Sequence, residues 1–448
     1  MHKKLMISGL TLALAAMQAN ASQSLIEIYE QAVDNDPTLK MAQLEVESAN
    51  QDVTSGFSAV LPSVSASSYY WVGNRQTTTN EDLAPDFDFQ AINATLSVDQ
   101  NIFALAAFTA YEAVQVNASI QEIEAAYAEQ ELMVRVAEAY INALRAKDAL
   151  QVVKAQLEAV ERQHEQTQQR YDVGLVAITD VLDATATLDE TKVSLIRAES
   201  SYDIALQNIS VITGQIPENI LSISEDIPIS VPEEDGQQLW VEYAVTKHPE
   251  IIAAQRGLEV GRLSQKALKQ NYNLPTVAGS LDLAYDDVFT SDSYENDDEQ
   301  NWTLELTLSV SMDLYSGGSN NAEIVKQGIQ NNIVEEQLEL LKRSKAVTVA
   351  NLYRTVQADA QNVNAQIQAL KSRESALQAT EVGYDVGTRN IVEVLNSQLA
   401  LYSAQNDLNN ARYDYLVDLL NLKKEAGQLS LNDLQSIEDY MMAEQDSD

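Results

Sequence analysis

Residues 171–183 read Tyr171-Asp172-Val173-Gly174-Leu175-Val176-Ala177-Ile178-Thr179-Asp180-Val181-Leu182-Asp183. Residues 384–396 repeat the pattern as Tyr384-Asp385-Val386-Gly387-Thr388-Arg389-Asn390-Ile391-Val392-Glu393-Val394-Leu395-Asn396. The offset is 213 residues, and it also relates Pro62 to Pro275, Tyr140 to Tyr353 and Gly214 to Gly427. Pro37 and Pro249 are 212 apart, so one residue has been gained or lost locally. An offset held over that much chain means two copies of one structural unit. In each copy Tyr-Asp-Val-Gly lies between two long helical patterns and reads as a helix–turn–helix tip, with Gly174 and Gly387 making the turn.

Outward from the tips the helices are long. Residues 104–169 form one helical pattern without Pro or Gly, rich in Ala, Glu, Gln and Leu. At 1.5 Å per residue this is a rod of about 100 Å, too long for a globular helix, and it implies a coiled-coil assembly. Beyond the first tip a helix is expected over 179–212, ended by Gly214. The second copy repeats this over 320–382 and from its tip to Gly427. Shorter helices are expected over 24–33, opened by the capping-box spacing of Ser24 and Glu27, and over 38–57 and 238–270, the last broken at His248-Pro249.

Between the short and the long helices the period changes from 3.6 to 2. Strands are expected at about 63–72, 91–103, 276–286 and 301–315. The clearest alternates Trp302, Leu304, Leu306, Leu308, Val310 and Met312 with Thr303, Glu305, Thr307, Ser309, Ser311 and Asp313. Acidic loops join the strands of each pair. The expected organisation is a signal peptide over 1–21, a first repeat over 22–213 with its tip at 171–180, and a linker over 214–236. A second repeat follows over 237–427 with its tip at 384–393, then an acidic tail over 428–448. Lys3 and Lys4, the apolar run Leu5–Met17 and Ala19-Asn20-Ala21 mark the signal.

Composition removes several functions. The chain carries a formal charge of −39, or −41 without the two signal lysines, which is incompatible with a general nucleic-acid surface. That acidity reads either as a solvated surface or as an acidic conduit. The chain has no Cys, so neither disulfides nor an N-terminal lipid on Cys is available. No catalytic constellation, phosphate loop, metal spacing or cofactor motif is present. His164 and His248 are isolated and are expected to be solvated. No run of about 18 apolar residues follows the signal, so a membrane span has to be made of strands. Each strand has one apolar and one polar face, as a lipid-facing wall around a wet lumen requires. Aromatics at the strand ends (Tyr70, Trp71, Tyr285 and Trp302 at one side, Phe103 and Tyr315 at the other) read as girdles or as ordinary sheet-core residues. Four strands cannot close, and open edges are not tolerated in lipid, so several chains have to contribute; three would give twelve strands.

At this point the chain resembles the TolC family of outer-membrane channel-tunnels over essentially its whole mature length. The motifs that carry the resemblance are Val-Gly-Leu-Val-Ala-Ile-Thr-Asp (173–180), Gly-Tyr-x-Val-Gly-Thr-Arg-x-Ile-Val (383–392), Asn-Asp-Pro-x-Leu (35–39), Leu-Pro (274–275) and Tyr-x-Gly-Gly (315–318). The resemblance implies an α+β membrane protein of two tandem repeats, each giving a β-hairpin and long antiparallel helices. It further implies a homotrimer with a 12-stranded β-barrel in the outer membrane of a Gram-negative bacterium and an α-helical barrel in the periplasm. The implied partners are a periplasmic adaptor (membrane fusion) protein and an inner-membrane pump of RND, ABC or MFS type. The implied role is the passive exit duct of multidrug efflux and type I secretion; the competing reading is a structural trimeric coiled-coil protein of the envelope. The cargo is not legible.

Carried over by position, the resemblance places a gate latch on Thr179, Asp180, Tyr384 and Arg389. Arg389 can fork onto Asp180 or a carbonyl, and Tyr384 can donate to the same carboxylate. Thr179 and Asp180 also suit a helix N-terminus simply as caps, and the two roles can coexist. A lumen constriction falls on Glu393 and Asn396, where the family pattern has two aspartates, so one charged ring and one amide ring are expected. Adaptor docking falls on Val173, Gly174, Leu175, Val386, Gly387 and Thr388, whose glycines serve either a close backbone approach or the turn alone.

Overall fold

The computed structural model describes residues 22–75, 87–224, 227–230, 236–290 and 299–442. The signal segment, most of the two acidic strand-to-strand loops and the last six residues lie outside them. In chain order the elements are α1 (Leu25–Asn35), α2 (Pro37–Ser58), β1 (Ser63–Arg75), β2 (Phe87–Phe103), α3 (Leu105–Asp172), α4 (Ile178–Thr213) and β3 (Ser222–Ile223). There follow α5 (Gly236–Lys247), α6 (Pro249–Asn273), β4 (Thr276–Thr290), β5 (Glu299–Ser311), α7 (Ser319–Asp385), α8 (Ile391–Glu425), α9 (Leu431–Glu438) and β6 (Met441–Met442). The repeat is visible element by element: α3 and α7 have 68 and 67 residues, α4 and α8 have 36 and 35.

The chain packs as two units. One holds β1, β2, β4 and β5 as an antiparallel sheet in the order β1-β2-β4-β5. Its register sorts the side chains cleanly. Leu281 faces Leu306, Leu283 faces Leu304 and Tyr285 faces Trp302 on one face, while Asp282 faces Glu305 and Ser280 faces Thr307 on the other. β2 continues both faces, with Leu96 opposite Leu283 and Ser97 opposite Asp282. Among the described residues nothing covers the apolar face of β5: Leu304, Leu306 and Leu308 are 70%, 81% and 67% exposed. β1 and β5 are bare edges. β5 stops at Ser311, short of the expected residue 315. Its end partner Thr276 follows Pro275, which has no N–H with which to extend the ladder.

Near this sheet the helices approach closely at two glycines. A Cβ on Gly261 of α6 would lie 2.5 Å from Asn331 Oδ1 of α7, and one on Gly328 of α7 would lie 2.7 Å from Gln265 Nε2 of α6. A side chain at either position would first displace the amide end of the facing Asn331 or Gln265.

The other unit holds the hydrophobic core and both tips. Tyr140 and its repeat mate Tyr353 are fully buried at its centre, with Leu25, Ile209, Leu416 and Leu434 packed into the same cluster. The Tyr140 hydroxyl lies 3.0 Å from the Gln23 carbonyl and 2.9 Å from the Leu221 carbonyl, tying the chain start and the linker to α3. α1 opens with the expected box: Glu27 accepts from the Ser24 N–H at 3.0 Å and Ser24 Oγ accepts from the Glu27 N–H at 3.3 Å.

Three expectations need correction here. The stretch 428–448 is not simply an acidic tail: Leu434 and Ile437 of α9 sit in the core, and β6 pairs with β3 of the linker. Its acidic residues Asp433 and Glu438 are themselves engaged, with Lys423 and with the Ile26 N–H, on a short helix whose apolar stripe the charge concealed. His248 is not solvated but fully buried, 5.2 Å from the Tyr127 ring. The Glu250 N–H donates to its Nδ1 at 3.2 Å, which leaves the ring proton on Nε2; that atom has no hydrogen-bond partner and lies 3.9 Å from a Glu425 carboxylate. Burial, assisted by the Lys345 charge, holds this histidine below its ordinary pKa. His164 is half-buried and bonded to Thr185 Oγ1 at 3.1 Å. Helical periodicity places a residue on a face but does not name the neighbour of that face.

Candidate functional site

Both tips are built alike. Gly174 and Gly387 adopt φ of +77° and +76°, and their N–H groups donate to the carbonyls of Tyr171 (2.8 Å) and Tyr384 (3.0 Å). Leu175 and Thr388 close the same turns by donating to Arg170 and Gly383, both at 2.8 Å. A Cβ on either glycine would meet nothing within 4 Å, so the glycines are required by backbone sign rather than by crowding. Around them Val173, Leu175 and Val386 stand 69–73% exposed. The six residues expected to dock an adaptor thus form an uncovered aliphatic knuckle at each turn.

The four latch residues do not meet one another within one chain. Asp180 sits in the first turn of α4 and its Oδ2 accepts the Ala177 N–H at 3.3 Å, so it serves as a cap. Thr179 is exposed beside it. Arg389, in the turn before α8, pairs with Glu393 in the first turn of that helix. That guanidinium holds the Glu393 carboxyl below the usual range, with the Asn390 contact assisting. Glu393 is therefore charged but already partnered, and Asn396 one turn on is exposed. Tyr384 packs against the small cluster of Ile391, Val394 and Leu395, and its buried hydroxyl has no hydrogen-bond partner.

What joins the two tips is a pair that the motifs did not single out. Arg170 Nη2 donates to Asp385 Oδ1 at 3.0 Å, and its guanidinium carbon lies 4.7 Å from the centre of the Tyr384 ring. Gly383, which opens the motif 383–392 but was given no role, also matters: a Cβ there would come within 2.6 Å of Arg389 Cγ, so the arginine stem crosses the backbone where a side chain would stand. A signal existed for both. Arg170 and Gly383 are repeat-equivalent positions immediately before the Tyr-Asp-Val-Gly motif, and only one of the two carries a charge.

Farther from the tips Asp359 of α7 faces Asp418 of α8, with Asp414 and Glu138 adding negative charge and Arg145 paired to Asp414 at 2.8 Å. Burial, then the hydrogen bond to Asp418 and the nearby carboxylates, push Asp359 up to about 6. A raised folded-state pKa means that the folded protein holds the proton more tightly than the unfolded chain. The contribution is present at low pH and lost as pH rises through about 6. The melting temperature is expected to fall between pH 5 and pH 7, and Asp359→Asn should remove that step; an unchanged step in the variant would assign it elsewhere.

Among the described residues no group of three or more His, Asp or Glu side chains is arranged to hold a metal, and no helix is long and apolar enough to cross a membrane. A family model described as outer membrane efflux protein matches residues 28–215 and 240–428. The outer membrane protein TolC of Vibrio cholerae is 31% identical over 97% of this chain and 98% of its own length. The alkaline protease secretion protein AprF of Pseudomonas aeruginosa is 27% identical over 92% of this chain and 86% of its own. Among solved structures, the channel CusC superposes with a TM-score of 0.77 at 17% identity, over 91% of this chain and 92% of that one.

Proposed function

The chain belongs to the outer membrane efflux protein family, and on that premise we infer that it is an outer-membrane exit duct for efflux and type I secretion, its helices extending into the periplasm. It is a conduit, not an enzyme, as its channel and secretion relatives imply. The observation that carries the reading furthest is the sheet: four strands of 13–17 residues, long enough to span, with one apolar and one polar face and two bare edges. Lipid tolerates no open edge. Three copies, with β5 of each protomer pairing to β1 of the next, close twelve strands around the polar face and place the leucines of β5 in lipid.

The helices of three copies then enclose a periplasmic tunnel whose tips form its entrance. A periplasmic adaptor seats on the aliphatic knuckles of Val173, Leu175 and Val386, and an inner-membrane pump of RND, ABC or MFS type supplies the cargo. The latch of Thr179, Asp180, Tyr384 and Arg389 acts between protomers in this reading, supported by the exposure of Thr179 and of the Arg389 side chain, 59% of which faces solvent. Glu393 and Asn396 line the constriction, Glu393 with its charge largely spent on Arg389.

Single-channel current through the purified trimer in a planar bilayer tests this. The wild type should show a small conductance. Arg389→Ser should shift the open-to-closed ratio by roughly 10- to 100-fold, since three exposed links of about 0.5–1 kcal/mol each sum to that range. A verified trimer that conducts nothing in either form would favour the structural coiled-coil reading.

A further inference from the structure

We propose that Arg170 is a positioning residue of the entrance: paired with Asp385 and laid over Tyr384, it clamps the first tip to the second within each protomer and restrains opening. The inference rests on the reading of the tips as a gate and adds a residue pair outside the expected latch. Three observations carry it.

The first is chemical fit. A guanidinium is planar, so it can lie over the Tyr384 ring and still send an N–H into the Asp385 carboxylate at 3.0 Å. Asp385 and Tyr384 are consecutive, so one arginine grips two adjacent side chains at the end of α7.

The second is need. Asp385 is the last residue of α7, where unsatisfied carbonyls make the helix end negative and a carboxylate is out of place. A cation at that spot relieves the repulsion, and Arg170 brings it from the end of α3. The repeat-equivalent Asp172 is served differently, by Gln168 Nε2 at 2.8 Å on its own helix. Two copies of one motif thus solve the same problem in different ways, and only the second solution ties the two hairpins together.

The third is the surroundings. Arg389 is engaged by Glu393 in the first turn of α8 and does not compete for Asp385. Arg170 and Asp385 keep 35% and 69% of their side chains in solvent, so the clamp is weak and screened by salt, as a releasable contact has to be. Separating α3 from α7 at the tips requires breaking it in every protomer.

The test is single-channel recording on the trimer for Arg170→Gln, Asp385→Asn, the swap Arg170→Asp with Asp385→Arg, and Arg170→Lys. Each neutral single variant should raise open probability about tenfold, three solvent-exposed pairs acting together. The swap should return it to within about twofold of wild type, and Arg170→Lys should rescue only in part, keeping charge but losing the fork and the stack. Raising salt from 0.1 M to 1 M, where the Debye length falls to about 3 Å, should raise wild-type open probability by a larger factor than that of Arg170→Gln, in which only the Arg389 latch remains to be screened. Trimer melting temperature should stay level throughout; a purely structural role would move melting and leave gating alone. If Arg389→Ser opens the channel and the Arg170 variants do not, or if the swap behaves like the single variants, the clamp is overturned while the gate stands. If Arg389→Ser and the Arg170 variants are all silent in a conducting trimer, the gate reading itself falls, and the clamp with it.

Discussion

A Lys345→Met channel should lose about 3 kcal/mol of folding stability, the lower end of the loss for breaking a buried pair, because the two carboxylates lose the ammonium they share while Glu425 keeps Lys424 at 3.3 Å. Lys345 Nζ lies 2.7 Å from Glu250 and 2.9 Å from Glu425, and its side chain is only 13% exposed. Burial alone would push the ammonium pKa down, but the hydrogen bonds to the two glutamates outweigh it and hold Lys345 above the ordinary lysine value. Its charge is therefore kept until strongly alkaline pH, and that contribution is lost only as pH rises through the raised value. Glu425 moves the opposite way, its burial outweighed by Lys345 and Lys424, so its contribution disappears as pH falls below the glutamate range. Lys345 joins α6, α7 and α8 in the core unit; Glu425 is 15% exposed and has fully buried His248 at 3.9 Å, whereas Glu250 is 40% exposed and reaches water, so the uncompensated charge is mainly that of Glu425. Helical circular dichroism during denaturant unfolding of the purified protein would measure the loss. Adding Glu425→Gln to Lys345→Met should recover part of it. A change below about 1 kcal/mol would mean that the glutamates reach water once the lysine is gone.

The second large effect is expected at Asp36, where Asp36→Ala should cost about 2–4 kcal/mol, the lower end of the loss for breaking a buried pair. Asp36 performs two tasks with one carboxylate. Its Oδ1 caps α2 by accepting the Leu39 N–H at 2.7 Å, and both oxygens take Arg135 of α3, at 2.9 Å and 3.0 Å. The carboxylate side chain is 2% exposed and the guanidinium 34%, so the deserted arginine can still reach water, which limits the loss. Burial raises the Asp36 pKa, but Arg135 and the Leu39 and Thr38 N–H groups more than offset it. With the folded value depressed, the contribution is present above the usual aspartate pKa and is lost as pH falls through the lowered one. Asp36→Asn keeps a capping oxygen and should cost about 1 kcal/mol less than alanine. Equal losses for the two variants would show that the cap contributes nothing.

Asp36 also shows how far the sequence could be read. Asp36-Pro37 marked a break between two helices, correctly, because proline suits a first helical turn and aspartate a cap. That the same carboxylate receives Arg135, 99 residues away, was not legible. The tips follow the same rule. The glycine turns, the cap at Asp180 and the exposed aliphatic knuckles could be read from local pattern, since each depends on residues within one turn of itself. Arg389 was given Asp180 or a carbonyl as its partner and within one chain takes Glu393, because the turn that carries it leads straight into the first turn of α8, where Glu393 stands. The joining pair of Arg170 and Asp385 was invisible, its members being 215 residues apart.

The sequence by itself determined the duplication, the helix ends to within about three residues, the alternation of the strands and the family. All of these are set by periods of 2 and 3.6, by glycine and proline geometry, and by motifs contiguous in the chain. Only the tertiary structure decided which charges are partnered, that His248 and the C-terminal helix are inside, and that β2 pairs with β4 across the two repeats. The physical reason is one of range. Backbone sterics and side-chain alternation act over a few residues, whereas burial and ion pairing depend on which distant helix occupies the facing groove. A long charged side chain accepts several partners at nearly equal cost until packing removes all but one.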